Sequence, residues 1–243
     1  NYKDRLYATP IVNPCVVEKG IQELEWALDN GAKVVLLRPG AVAGAPKTKS
    51  PFLPEFDPFW ARVQEAGLPI ALHASDSGYQ RYVNDWEGKN TEFSGFTPTT
   101  FGLASMGHRP IEDTVHSAIC HGMLIRFPGV KLLSVENGGA WVKPVLHTLD
   151  NVYKKLPQEF AEHPRETFSR CVWVNPFWEE SLDSLIDEIG ADRICFGSDW
   201  PHAEGLSEPL SWLEEIEHRD AEERRLMMGG NLYDLLGVAA PAV

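Results

Sequence analysis

The run Arg193-Ile-Cys-Phe-Gly-Ser-Asp-Trp-Pro-His202 reads as a buried strand that ends in a group of reactive side chains. Arg193 to Phe196 is a short, continuous apolar run of the kind buried on both faces in a parallel sheet. Gly197 then releases the chain toward Asp199, Trp200 and His202. The same pattern recurs upstream: Val34 to Leu37 leads to Arg38, Pro69 to His73 ends in His73, Val130 to Val135 leads to Glu136, and Cys171 to Val174 leads to Asn175. Reactive groups just after strand upon strand are the arrangement of a TIM-type (β/α) barrel, whose site is built from the loops at the C-terminal ends of its strands. No G-x-G-x-x-G and no P-loop follows any strand, which weighs against a doubly wound nucleotide-binding sheet.

Amphipathic runs alternate with these strands: Glu18 to Asn30, Glu55 to Ala66, Ile111 to Arg126, Trp141 to Leu156, Ser181 to Ile189, Leu210 to Glu217 and Ala221 to Leu236. Leu6 to Val12 reads as one more strand, making six where a closed barrel needs eight. The chain begins at Asn1 rather than Met, so the expectation is a single barrel domain over residues 1–243. It is read as the C-terminal part of a longer chain, with the first two strands absent and with Leu6 to Val12 and Arg193 to Phe196 as facing edges. Ala74 to Arg109 is a long connection holding Tyr79, Tyr82, Trp86, Phe93, Phe96 and Phe101. Connections of that length are usually functional when ordered, and this one is expected to cover the barrel mouth or to form an oligomer contact.

The formal net charge is −13 over 243 residues, with no basic block, which argues against a nucleic-acid surface. No run approaches the ~18 apolar residues of a membrane span, and no signal pattern opens the chain. The four cysteines, Cys15, Cys120, Cys171 and Cys195, lack CxxC spacing and read as reduced thiols. A cytoplasmic protein is expected, with a small-molecule substrate, a possible homo-oligomer, and neither nucleic acid nor membrane as partner.

His73 and Asp199 are candidate metal ligands. A carboxylate at the end of a buried strand is costly unless paired or coordinated, and both donors suit a divalent ion, zinc first and manganese second. The plainer alternatives are a histidine bonded to a neighbouring carbonyl and an aspartate that caps a helix or pairs with an arginine. Glu136 is read with Asp199 as catalytic, as general base, substrate contact or metal contact, or else as a loop anchor. Arg38 offers a bidentate grip on a substrate carboxylate, or a pairing with a nearby acid. His202, Trp200 and Asn137 are read as substrate contacts; His202 is equally placed to orient Asp199 or to pack its loop. His116 and His121 lie about 140° apart on a helix and make no ligand pair.

Leu72-His73, Glu136-Asn-Gly-Gly139 and Phe196-Gly-Ser-Asp-Trp-Pro-His202, in this order, resemble the amidohydrolase-related family that includes decarboxylases of the aminocarboxymuconate-semialdehyde type. Gly230-Asn231-Leu-Tyr-Asp-Leu-Leu-Gly237 is similar to that family's terminal helix, opened by an asparagine. The resemblance implies a metal held by His73 after the fifth barrel strand and by Asp199 after the eighth. It also implies a His-x-His on the first strand; no such motif occurs in this chain, so it would lie upstream. Glu136 stands where many decarboxylase-type members carry a histidine.

A metal-dependent hydrolase follows as the first expectation, its ion lowering the pKa of bound water toward ~7 while Asp199 shuttles protons. A non-oxidative carboxy-lyase on the same scaffold is the alternative, and a non-catalytic small-molecule binding relative is a third. Gly102-Leu-Ala-Ser-Met-Gly107 misses the serine-hydrolase elbow by one position.

Overall fold

The structure, a computed structural model, describes residues 6–44, 47–95, 97–203 and 205–240. Phe96 of the long connection lies outside them. The first helix, α1 (Val17–Asp29), turns Gly20, Leu24 and Ala27 inward at helical spacing and stops at Gly31, whose φ of 78° suits glycine. Strand β1 (Val35–Leu37) follows, then α2 (Asp57–Ala66) and β2 (Ile70–His73). The long connection folds into α3 (Gln80–Glu87) and α4 (Thr100–Met106), the latter capped by the Thr99 side chain on the Gly102 amide.

The expected helix from 111 to 126 is two helices, α5 (Arg109–Cys120) and α6 (Met123–Arg126), because Gly122 adopts a left-handed φ of 68° between them. Then come β3 (Leu132–Val135), α7 (Val142–Lys155), α8 (Pro164–Cys171), β4 (Val172–Val174) and α9 (Leu182–Ile189). The chain ends in α10 (Trp212–Glu215), α11 (Ala221–Arg225) and α12 (Asn231–Leu236). A π-turn over Leu226–Gly230 separates the last two, so the expected single helix from 221 to 236 is interrupted.

The four strands pair in chain order, β1-β2-β3-β4, and every pair is parallel. Ile70, Leu72, Leu132, Val172 and Val174 pack into the main core with the helices, together with Trp60, Trp141 and Phe168. Leu133, Val135, Trp173 and Cys195 occupy the alternate positions and pack with Leu232 and Leu235 of α12. Apolar side chains on both faces explain why these strands read as continuous rather than alternating. This is α/β architecture with the topology of a (β/α) barrel.

Two of the six expected strands shrink to single bridges. Between 6 and 12 only Ile11 pairs with β1, at Leu36, while Leu6 and Ile11 are 75% and 74% exposed and only Val12 enters the core. Between 193 and 196 only Ile194 pairs, with Val174. Ala191–Arg193 is taken up in a 3₁₀ turn, and the Phe196 amide bonds to the Met227 carbonyl of the π-turn instead of extending the ladder. No bridge joins these two outer segments among the described residues. Among them, too, no helix is long and apolar enough to cross a membrane.

Asn231, 4% exposed, ties α12 to the sheet by donating from Nδ2 to the carbonyls of Ala191 (2.8 Å) and Ile194 (2.6 Å). Asn231→Ala takes this donor from the Ile194 carbonyl and leaves the Ala191 carbonyl with only the Ile194 amide, at 3.3 Å. We expect about 1–3 kcal/mol of lost stability in urea unfolding; an unchanged midpoint would remove Asn231 from the account of the C-terminal fold.

Candidate active site

Because the sheet is parallel, the residues that follow its strands emerge at one end. His73 is the last residue of β2, Glu136 follows β3, Asn175 follows β4, and Asp199 lies in the turn after Ile194. His73 Nδ1 donates to its neighbour's carbonyl, Ala74 O, at 2.6 Å, which aims Nε2 at Glu136 Oε2, 2.7 Å away. One ring nitrogen is thus committed to a backbone carbonyl and the other to a carboxylate. His202 Nδ1 lies 3.3 Å from Asp199 Oδ2 and 3.8 Å from Glu136 Oε1.

Glu136, Asp199 and His202 therefore present three donor atoms within 4.8 Å of one another, with His73 reaching the group through Glu136. Among the described residues these two carboxylates face histidines rather than lysine or arginine. Oxygen and imidazole donors brought together without a fixed counter-charge fit a divalent cation.

The backbone supporting this group is itself unusual. Glu136 and Asp199 are the two non-glycine residues with left-handed φ among those described, at 56° and 53°. Such conformations persist where surroundings over-determine them. Around Glu136 they do. Asn137 Nδ2 donates to Leu72 O (2.8 Å) and Val135 O (2.7 Å), clamping the ends of β2 and β3. Gly138 takes φ 66°, and the Trp141 indole donates to its carbonyl at 2.8 Å. The Glu180 carboxylate accepts three amides, from Gly139 (2.6 Å), Ala140 (2.9 Å) and Phe177 (3.0 Å). Around Asp199 the turn closes through His202 N to Asp199 O, 2.8 Å, and Leu206 N to Ser198 O, 2.9 Å.

Two cavities meet at His73, Glu136 and Phe177. One of about 530 Å³ also touches Asn175, Ser198 and Asp199. The other, about 740 Å³, runs from His73, Glu136 and His202 out beneath α3 and α4. The long connection does cover this end of the sheet. Tyr79 on its wall donates to Asp113 of α5 at 2.8 Å, and burial, followed by that bond, raises its phenol pKa well above the ordinary range.

His73, Glu136 and Asp199 all line the smaller cavity, while the group within 4.8 Å is Glu136, Asp199 and His202, with His73 touching it through Glu136. Asn137 reaches the larger cavity, although its amide is engaged with backbone. Arg38, at the same sheet end, spends its guanidinium on the carbonyls of Asp76 (2.9 Å) and Ala41 (2.9 Å) and lines neither cavity. Trp200 is 67% exposed and also lines neither. Glu180 was missed by the sequence reading. Its only signal was position, five residues beyond Asn175, in a run with no strand or helix periodicity.

Glu180→Ala removes the acceptor of three backbone amides that hold the Glu136 turn. We expect a loss of roughly 2–3 kcal/mol in chemical unfolding, with Glu180→Gln intermediate. Equal stability of all three proteins would show that the turn holds itself.

A family profile described as amidohydrolase matches residues 1–238. The gamma-resorcylate decarboxylase of Polaromonas sp. (strain JS666 / ATCC BAA-500) is 25% identical over 189 residues, covering 74% of this chain and 55% of that protein. The chain thus spans about half the length of the curated relatives it matches. The crystal structure of an amidohydrolase from Mycobacterium avium subsp. paratuberculosis K-10 superposes with a TM-score of 0.87 at 38% identity, over 96% of this chain and 58% of that one. A dihydroxybenzoic acid decarboxylase from Polaromonas sp. JS666, with bound manganese and the inhibitor 2-nitroresorcinol, superposes at 0.68 with 18% identity, over 93% and 66%. At that identity the likeness is one of fold. The profile match over nearly the whole chain and the strand-end site together place this protein in the amidohydrolase family.

Proposed function

We propose that this chain carries the reaction centre of a metal-dependent, non-oxidative carboxy-lyase acting on a small organic acid, within one barrel domain. The observation that carries this is the convergence of Glu136, Asp199 and His202 within 4.8 Å, with His73 on Glu136, at the end of a parallel sheet. The curated relative named above is a decarboxylase, which favours carbon dioxide loss over the hydrolysis that the sequence put first. We take manganese before zinc, because the donor group is rich in carboxylate oxygen, and manganese is the ion named with the Polaromonas decarboxylase. The cytoplasm remains the expected compartment.

Glu136, Asp199, His202 and His73 are the residues that would hold the ion, which supplies positive charge for the oxygens of an acidic substrate. The remaining work falls to the chain. Asp199 is the proton carrier: it takes up a proton from solvent, delivers it to the carbon that bears the carboxylate and returns to the carboxylate form. The bond to the carboxylate then breaks, its electron pair returns to the carbon framework, and CO₂ leaves. Nothing is oxidised or reduced. His202 faces that carboxyl, with Nδ1 3.3 Å from Asp199 Oδ2, while its amide closes the turn on Asp199 O at 2.8 Å. His73 fixes one Glu136 oxygen, and the turn held by Glu180 fixes the other end of the residue.

With manganese supplied, the intact protein should release CO₂ from 2,6-dihydroxybenzoate or a related hydroxylated aromatic acid. Asp199→Asn should lower kcat by about 10²-fold or more, the usual scale for a lost proton donor. Glu136→Gln should weaken metal binding as well as turnover. Ester or lactone hydrolysis without CO₂ release from any such acid would return the site to hydrolase chemistry.

A further inference from the structure

The larger cavity is lined along its outer part by Val83, Phe93, Leu103, Met106 and Pro110. Phe93 and Leu103 line it and are 41% and 62% exposed. Surface of this kind marks a binding region when it is contiguous with a site. Here it is contiguous, because His73, Glu136 and His202 form the inner wall of the same cavity. Its volume of about 740 Å³ belongs with those that enclose ligands of drug size, roughly 300–1,000 Å³. A one-ring acid held at the inner wall would fill only a small part of it.

The charges on the wall say what fills the rest. Asp76, Glu92 and Glu136 line the cavity, and its one lysine, Lys89, is bonded to Glu87 at 2.8 Å. No arginine lines it among the described residues, since Arg38 is turned toward the carbonyls of Asp76 and Ala41. A second carboxylate would meet acids and a lysine already paired.

We propose that the substrate carries, besides its reacting carboxylate, an uncharged apolar arm that lies in the cavity beneath α3 and α4. The proposal rests on the carboxy-lyase reading for the reacting end and on the cavity wall for the arm.

Titration calorimetry on the intact, manganese-loaded protein tests it with three probes: 2,6-dihydroxybenzoate, the same acid with a hexyl chain at ring position 4, and the same chain ended by a carboxylate. Each buried methylene is worth about a three- to fourfold gain. The hexyl acid should therefore bind at least about thirtyfold tighter than the parent, even if part of the chain stays wet. The terminal carboxylate should erase that gain. Leu103→Asp, a change at an exposed position, should erase it too. A hexyl acid that binds no tighter than its parent, or a carboxylate-ended chain that binds tightest, overturns the arm. CO₂ release is followed in parallel. A hexyl gain without CO₂ from any of the three sustains the arm and defeats the carboxy-lyase reading; CO₂ from the parent without a hexyl gain does the reverse.

Discussion

The contact between His73 Nε2 and Glu136 Oε2, at 2.7 Å, is the interaction on which the rest of the site turns. One ring nitrogen is spent on a backbone carbonyl, which leaves the other to face the carboxylate. Asp199 and His202 bring a second carboxylate and a second imidazole to the same place. Holding such groups together costs conformational freedom and, at Glu136 and Asp199, a left-handed backbone worth of order 1–3 kcal/mol each. The compensation is visible in the Asn137 clamp across β2 and β3, the three amides gathered by Glu180 and the indole of Trp141.

The long connection after β2 acquires its shape from the same end of the sheet. Arg38 was read as a grip for a substrate carboxylate. Instead it latches the turn after β1 to the loop after His73, through the Ala41 and Asp76 carbonyls. The close approach of Gly40 to Ser77, where a Cβ would lie 2.9 Å from the Ser77 carbonyl oxygen, belongs to the same latch. Farther out, Tyr82 stacks on Phe101 and Trp86 packs tilted against both, with the Arg109 guanidinium 5.1 Å from the Tyr82 ring centroid. The expected aromatics thus divide: these three brace the cover, while Tyr79 and Phe93 face the cavity.

Much of this was legible because a parallel sheet writes its site at regular intervals. Apolar runs mark the strands, and the residues at or shortly after their ends mark the candidate site, as with His73, Glu136 and Asp199. What escaped were features set by tertiary competition. Phe196 reads as strand, but its amide is captured by Met227 of a π-turn that no periodicity announces. Leu6 and Ile11 read as strand, yet lie too exposed to extend the sheet beyond one bridge. Gly122 sits inside a convincing helical pattern and breaks it, because only its φ, not its neighbours, decides the matter. Arg38, Asn137 and Glu180 each join a near backbone group to one 38 or more residues away, which no pattern of residue types announces.

The central claim is that the strand-end carboxylates and histidines exist to hold a divalent ion. Anomalous diffraction at the manganese edge, from crystals of the intact protein grown with manganese, tests it most directly. The account predicts a strong peak within bonding distance of Glu136, Asp199 and His202 or His73. A peak only elsewhere, or none at saturating manganese with these side chains still in contact, would contradict it.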